Sequence, residues 1–366
     1  MKFPKLNAIG LMSGTSLDGL DIALVEFNAS NKLNYHVLAS QTIAYNLEWK
    51  SKLEDAFHCN ESELKALDLE YGIWLGSRVN EFIKNNPYKV DLISSHGHTV
   101  FHQPKNKISI QIGNGYEIFK QTNIPVVNNF RQQDVLLGGQ GAPLVPMGDE
   151  LLFPAYTFCL NLGGFSNISW NDSKLRKACD LSPCNILLNT ICRRLKLNFD
   201  DKGMLASNGK INSELLAKWN AIPFYMQAPP KSLGREWFEL NFLADILNES
   251  YPVEDLLATA VQHITYQINL FIQNTGKKFI ATALPSQKLT CLVTGGGVYN
   301  QFLMAQLNEN AQTGIQFIIP EPELVDFKEA ILFALLGYLR WNNEINVLAS
   351  VTGALRDHSS GTIYAN

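Results

Sequence analysis

Nowhere in this 366-residue chain does an apolar run approach the roughly 20 residues needed to span a bilayer. A field of positive charge is missing as well. With a formal net charge of -4 and a pI near 6.0, nothing draws a phosphodiester backbone, so nucleic acid and membrane are both set aside as partners. Cysteine is sparse: the six residues at 59, 159, 179, 184, 192 and 291 include no C-x-x-C pair. That spacing argues against a disulfide framework and for reduced thiols in a cytoplasmic protein. The opening Met1-Lys-Phe-Pro-Lys5 enters a strand-like run without the hydrophobic region of a signal peptide. Neither the lysine of a P-loop nor the G-x-G-x-x-G spacing of a dinucleotide fold occurs at the glycine clusters. What remains is an ordinary globular composition, 46% hydrophobic and 17% charged with mean hydropathy -0.05, at a length that predicts two domains.

What is present begins with Gly10-Leu-Met-Ser-Gly14-Thr15-Ser16-Leu17-Asp18-Gly19-Leu20-Asp21, between a short apolar run and the strand-like Ile22-Ala-Leu-Val-Glu-Phe27. Two strands joined by this turn make a hairpin whose tip is rich in backbone N–H groups and hydroxyls. Glycine lets the main chain approach an anion, Thr15 and Ser16 add donors, and Asp18 and Asp21 suit a magnesium ion that travels with nucleotide phosphate. The plainer alternative is a polar turn, for which Asp-Gly is already a good signal.

Further on, Glu61–Asn85 has helical spacing, and Val90–Ser95 reads as a strand leading into His96-Gly-His98-Thr99-Val-Phe-His102. No cysteine or carboxylate cluster accompanies these histidines, so a polar strand-end loop lining a pocket is favoured over zinc. A strand follows at Ile108–Ile112, and then the ordered glycine-rich loop Gly138-Gly-Gln-Gly141. The segment Thr157–Leu162, Gly163-Gly164, Ile168–Trp170 repeats the strand, glycine turn, strand architecture of the first hairpin and implies two related halves. Asp180 closes an apolar step just before a helix, where an open α/β sheet points its acids at ligand. It serves equally as base or as N-cap. The stripe Leu257, Val261, Ile264, Ile268, Phe271 marks an amphipathic helix expected to stop at Gly276, with His263 structural. Strand Leu289–Thr294 runs into Gly295-Gly296-Gly297-Val298-Tyr299-Asn300 and a helix, a junction compatible with nucleotide. A last long helix is expected from Phe327 to about Trp341, with Lys328 and Glu329 near its start. The blocks Val351–Ala354 and Gly361–Ile363 form a small element that folds back on the first half.

Taken together, these blocks resemble the anhydro-N-acetylmuramic acid kinase family. The likeness runs collinearly through Gly10–Gly19, Ser95–Pro104, Gln111–Gly113, Pro125–Arg131, Gly138–Pro146, Asn161–Ile168, Pro229–Glu236, Thr294–Gly297, Lys328–Ala330 and Val351–Ala354. It implies an α/β protein of the actin-like ATPase (sugar kinase, Hsp70 and actin) fold, with two related domains around a central cleft. These are placed at residues 1–130 plus about 342–366, and 131–341. It also implies ATP with magnesium, a homodimer, and phosphorylation of O6 coupled to hydrolytic opening of the 1,6-anhydro ring during cell-wall recycling.

Under this resemblance Asp180 is the catalytic base. Gly14, Thr15, Ser16, Leu17, Asp18, Gly19, Leu20, Asp21, Gly163, Gly164, Gly295, Gly296 and Gly297 hold the nucleotide, with Asp18 touching its magnesium. His98, Thr99, Arg131 and Glu329 face the sugar. Arg131 suits the lactyl carboxylate through a bidentate hydrogen bond, a pairing inferred from its chemistry. The chain departs from the family's Asp-Thr-Gly-Pro-Gly-Asn run with Asp180-Leu-Ser-Pro-Cys-Asn185. It also carries Asn189 for a common Asp, and His98 for the usual Gln. A catalytically weakened sugar- or nucleotide-binding relative is the alternative these departures raise.

Overall fold

The computed structural model describes residues 3–14, 17–29, 33–173, 175–280, 288–311 and 314–366. They divide into two compact units, Met1–Phe153 with Phe327–Asn366, and Pro154–Asp326. The first contains strands β1 (Phe3–Ser13), β2 (Gly19–Ala29), β3 (Asn34–Ala44), β4 (Leu92–Ser95), β5 (His98–Gln103), β6 (Ile108–Ile112) and β7 (Val126–Asn128). The second contains β8 (Phe158–Leu162), β9 (Phe165–Asp172), β10 (Leu175–Pro183), β11 (Leu289–Thr294) and β12 (Ile315–Ile318). The chain returns to the first with β13 (Thr362–Tyr364).

The two sheets share one plan. In the first, the order is β13-β7-β4-β1-β2-β3, with β1, β2 and β3 antiparallel and β4 and β7 parallel to the β1 end. In the second, the order is β10-β9-β8-β11-β12, with β8, β9 and β10 antiparallel and β11 and β12 parallel. Three meandering strands followed by two parallel ones therefore occur twice, which makes the chain an α/β protein of two related domains. β13 adds an edge to the first sheet only, pairing antiparallel with β7.

The expected bounds at 130/131 and 341/342 differ from the observed ones, and packing explains why. A Cβ on Gly10 would lie 1.8 Å from the Ala330 carbonyl oxygen, so β1 and the helix Pro322–Trp341 touch backbone to backbone. Phe27 stacks on Tyr338 at 5.1 Å, and Ser94 Oγ donates to the Phe333 carbonyl. Residues after 326 thus cover one face of the first sheet. Its other face holds Ile9, Leu11, Leu20, Ile22 and Leu24 against Tyr71, Leu75 and Val79 of the helix Glu61–Asn85. That helix is started by Asn60, whose side chain accepts from the Ser62 and Glu63 N–H groups while Glu63 accepts from the Asn60 N–H.

In the second unit the expected amphipathic stripe is present, with Leu257, Val261, Ile264 and Ile268 all fully buried. Each stabilises by roughly 1.5–3 kcal/mol relative to exposure. The helix does not stop at Gly276, however, and continues over Val253–Ile280. A Cβ at Gly276 would lie 3.0 Å from Leu289 Cδ1, so the glycine serves close packing on β11 and not termination. His263 is structural as expected, bonded to Tyr225 and Asn220. No described helix is long and apolar enough to cross a membrane, and all six cysteines are free thiols, five of them buried.

Candidate functional site

In the first unit the predicted hairpin forms, with Met12 opposite Asp21 and Ser13 opposite Leu20. Leu17 closes its turn, donating N–H to the Gly14 carbonyl at 3.3 Å in a left-handed conformation (φ 57°). Asp18 is exposed at the tip, whereas Asp21 is half-buried and accepts from Thr42 Oγ1 at 2.6 Å. The Leu20 side chain belongs to the core, and Gly19 is required by β3, since a Cβ there would lie 2.6 Å from the Ile43 carbonyl oxygen. Thr15 and Ser16 lie outside the described residues.

The same unit holds all four of the expected sugar-facing residues. Arg131, just after β7, donates from Nε to His96 Nε2 at 3.0 Å and from Nη1 to the Gly141 carbonyl at 2.7 Å. Since Nε2 accepts, neutral His96 carries its proton on Nδ1, a buried atom without a hydrogen-bond partner. Burial first, and the Arg131 charge second, hold the His96 pKa well below the usual value, so it stays neutral. Burial likewise brings Arg131 down to about 10, with Glu329 and Asp134 opposing. Glu329 remains in contact with water, yet the surrounding protein raises its carboxyl pKa against the pull of Arg131 and Lys328, and Asp21 adds to the rise. Beside it, Lys328 pairs with Asp149 at 2.8 Å, both side chains nearly buried. Thr99 is half-buried on β5 opposite Gln111, and His98 is buried on the same strand.

One residue here escapes sequence reasoning. Asp134 is fully buried; it accepts from the Gly141 N–H at 2.6 Å and from Thr352 Oγ1 at 2.7 Å. It joins the glycine loop to the Val351–Ala354 block, so two blocks noticed separately meet at one carboxylate. The available signal was an acid on the short helix just before Gly138-Gly139, where a turn of unpaired N–H groups needs an acceptor.

In the second unit, Gly163 and Gly164 form the β8–β9 tip. Their carbonyls accept from Cys184, Asn185 and Ile186, so the N–H groups opening the helix Asn185–Cys192 are already spent on this hairpin. Asn185 Nδ2 also donates to the Leu162 carbonyl at 3.0 Å. Gly295 (φ 87°) packs where a Cβ would meet Asn161 Oδ1 at 2.5 Å, and Gly297 where one would meet the Leu162 side chain at 2.7 Å. Three segments distant in sequence are thereby brought together. The junction after β11 is as expected: the strand runs through Gly295 into a tight turn over Gly296–Tyr299, and the helix Gln301–Glu309 starts from Asn300, whose side chain accepts from the Leu303 N–H.

Asp180 sits on β10 at an irregularity in the pairing with β9. Its N–H donates to the Lys231 carbonyl at 3.0 Å, and its Oδ2 accepts from the Leu233 N–H at 2.7 Å. Burial pushes its carboxyl up to about 6, only partly offset by that hydrogen bond. It does not cap the following helix, whose N-cap is Cys184. The loop that grips it is anchored by Lys231, with Nζ donating to the Phe224 carbonyl at 3.2 Å over the Phe224 ring. The family departures turn inward. Leu181 and Cys184 join the core, and Ser182 bonds Ser166 across the strands at 2.8 Å. Among the described residues no cluster of three metal-ligating side chains occurs.

A family model described as anhydro-N-acetylmuramic acid kinase matches residues 6–366. A protein of that name from Bacillus thuringiensis subsp. konkukian is 33% identical, the match covering 97% of this chain and 98% of the relative. Its namesake from Synechococcus elongatus is 34% identical over 98% of this chain and 100% of the relative. Among solved structures, component A of the Acidaminococcus fermentans (R)-2-hydroxyglutaryl-CoA dehydratase is similar at 12% identity and a TM-score of 0.45, covering 91% of this chain and 98% of that one. At that distance the structural likeness carries no argument.

Proposed function

The chain belongs to the anhydro-N-acetylmuramic acid kinase family, and from that premise we propose that it phosphorylates 1,6-anhydro-N-acetylmuramic acid on O6 with ATP while water opens the anhydro ring. The product is N-acetylmuramic acid 6-phosphate, formed in cell-wall recycling. The observation that carries the mechanism is Asp180, a carboxylate that accepts from the Leu233 N–H and is raised to about 6 by burial. A base with that pKa is ionised at neutral pH, yet basic enough to take a proton from water in the transition state.

The water oxygen bonds the anomeric carbon as the bond from that carbon to O6 breaks. O6 takes the γ-phosphoryl group, the bond to the β-phosphate oxygen breaks, and ADP leaves. The proton of the attacking water goes to Asp180. Phosphoryl transfer itself needs positioning and charge neutralisation more than covalent help. Gly14–Asp21, Gly163–Gly164 and Gly295–Gly297 hold the nucleotide. A magnesium ion carried by the nucleotide phosphates would find the exposed Asp18 as its protein ligand. That ion neutralises phosphate charge when bound. On the sugar side, Arg131 offers the guanidinium hydrogens not used by His96 and the Gly141 carbonyl to the lactyl carboxylate, with His98, Thr99 and Glu329 around the ring. The same reading makes the protein a cytoplasmic homodimer.

A coupled ADP-release assay against a panel of anhydro and ordinary amino sugars tests the proposal. ADP release is expected only with the anhydro-muramyl sugar. ATP hydrolysis indifferent to every sugar, or ring opening without ATP, overturns it.

A further inference from the structure

A chain of four buried polar side chains runs beneath the first hairpin. Tyr71 and Tyr45 hydroxyls lie 2.6 Å apart, Tyr45 donates to Ser13 Oγ at 2.8 Å, and Ser13 Oγ lies 3.2 Å from His98 Nδ1. All four residues are at most 5% exposed. Ser13 is the last residue of β1 and directly precedes Gly14. The chain therefore ties the strand that enters the phosphate-facing turn to a residue that the proposed function places at the sugar.

Counting protons gives the chain a direction. Each hydroxyl has one hydrogen to donate. Tyr45 spends its own on Ser13, so the bond between the tyrosines must be donated by Tyr71. Ser13 has no other acceptor within hydrogen-bond reach among the described residues, so we assign its proton to His98 Nδ1, which then accepts. A neutral imidazole that accepts at Nδ1 carries its hydrogen on Nε2. Burial keeps both phenols protonated by raising them, and brings His98 down to about 4, so the ring is neutral through the physiological range. No hydrogen bond among the described residues engages His98 Nε2, and it is not among the buried orphan atoms, so it reaches solvent. His96, by contrast, has its hydrogen on Nδ1, with Nε2 taken by Arg131. Two histidines two residues apart hold opposite tautomers.

We propose that His98 is a specificity-determining residue that presents a fixed Nε2–H donor to an acceptor oxygen of the amino sugar, and that Ser13, Tyr45 and Tyr71 are positioning residues that hold it in that tautomer. The inference rests on the kinase reading for the identity of the ligand, but the tautomer is a property of the ligand-free protein. A side chain that can only donate rewards an acceptor at that point of the sugar and leaves a facing donor unpaired.

The test has two arms on the full chain. Long-range ¹⁵N spectra of the ligand-free protein are expected to show His98 as the Nε2–H tautomer, and Ser13→Ala to mix the two forms without changing the melting temperature by more than a few degrees. In kinetics, Gln at position 98 places an amide N–H near the position of Nε2, and Asn places one near Nδ1. His98→Gln is therefore expected to keep the sugar KM within about twofold, and His98→Asn to raise it roughly three- to tenfold, the ordinary worth of one hydrogen bond, with the ATP KM unchanged. An Nδ1–H ring in the resting wild type overturns the proposal, and so does a sugar KM indifferent to His98→Asn. Wild-type protein without sugar-dependent ADP release defeats the kinase reading instead, and the spectra still decide the relay.

Discussion

Asp180 in one unit and Glu329 in the other are two carboxylates, and each is shifted upward by its own protein surroundings. They differ in company. Glu329 lies among charges: Arg131 and Lys328 pull its pKa down and Asp21 pushes it up. Asp180 has only backbone partners, the Leu233 N–H and the Lys231 carbonyl, and no ion pair among the described residues. A carboxylate matched by cations binds or orients. One isolated from charge is left with desolvation as its dominant influence, and desolvation is what makes an acid basic enough to act at neutral pH.

Replacing each acid by its amide sharpens that contrast most. Asp180→Asn is expected to lower kcat by about 10²–10⁴-fold, the usual contribution of a general base. Glu329→Gln is expected to act mainly on the sugar KM. Asparagine can still accept from Leu233, so an unchanged melting temperature separates chemistry from folding. In the wild type, activity falls as pH drops through about 6, because a carboxyl that already holds a proton cannot accept another. Equal kcat losses in the two variants, or an acid limb untouched by Asp180→Asn, break the comparison.

The next effect is on stability and belongs to the charged unit. Lys328 and Asp149 are nearly buried and 2.8 Å apart. Lys328→Met removes the cation from a carboxylate that cannot be resolvated cheaply, and is expected to cost about 3–5 kcal/mol in denaturant unfolding. Replacing both, as Lys328→Met with Asp149→Leu, is expected to recover much of that loss. A double variant no better than the single one refutes the charge-burial account.

Local patterns carried much of this into the sequence. Hairpins announced by glycine turns and the stripe from Leu257 to Ile268 are short-range signals, and each is present in the fold, whereas the strand expected to end at Asp180 runs on to Pro183. What stayed hidden depends on contacts between distant segments. Asp134 makes sense only once Gly141 and Thr352 reach it. Gly276 looks like a helix stop until Leu289 is seen against it. The boundary after Asp326 follows from β1 needing a helix on its bare Gly10. The departures at Leu181, Ser182 and Cys184 raised loss of activity as a possibility, but their side chains lie in the core while Asp180 and Asn185 keep their places.

The two hairpin tips offer the smallest effect and the cleanest reading. Gly19 is glycine because β3 leaves no room for a Cβ, so alanine there is expected to disturb folding whatever the ligand. Gly164 is different: nothing lies within 4 Å of its missing Cβ, and its φ is outside the left-handed region. The fold alone does not require glycine there, so a substitution at this position probes the proposed nucleotide contact without disturbing packing. Gly164→Ala is expected to leave the melting temperature unchanged and to raise the ATP KM by about tenfold, equivalent to roughly 1.4 kcal/mol, with the sugar KM unaffected. An unchanged ATP KM would place the phosphates away from this turn, and the proposed grip on the nucleotide in the second unit would then rest on Gly295–Gly297 alone.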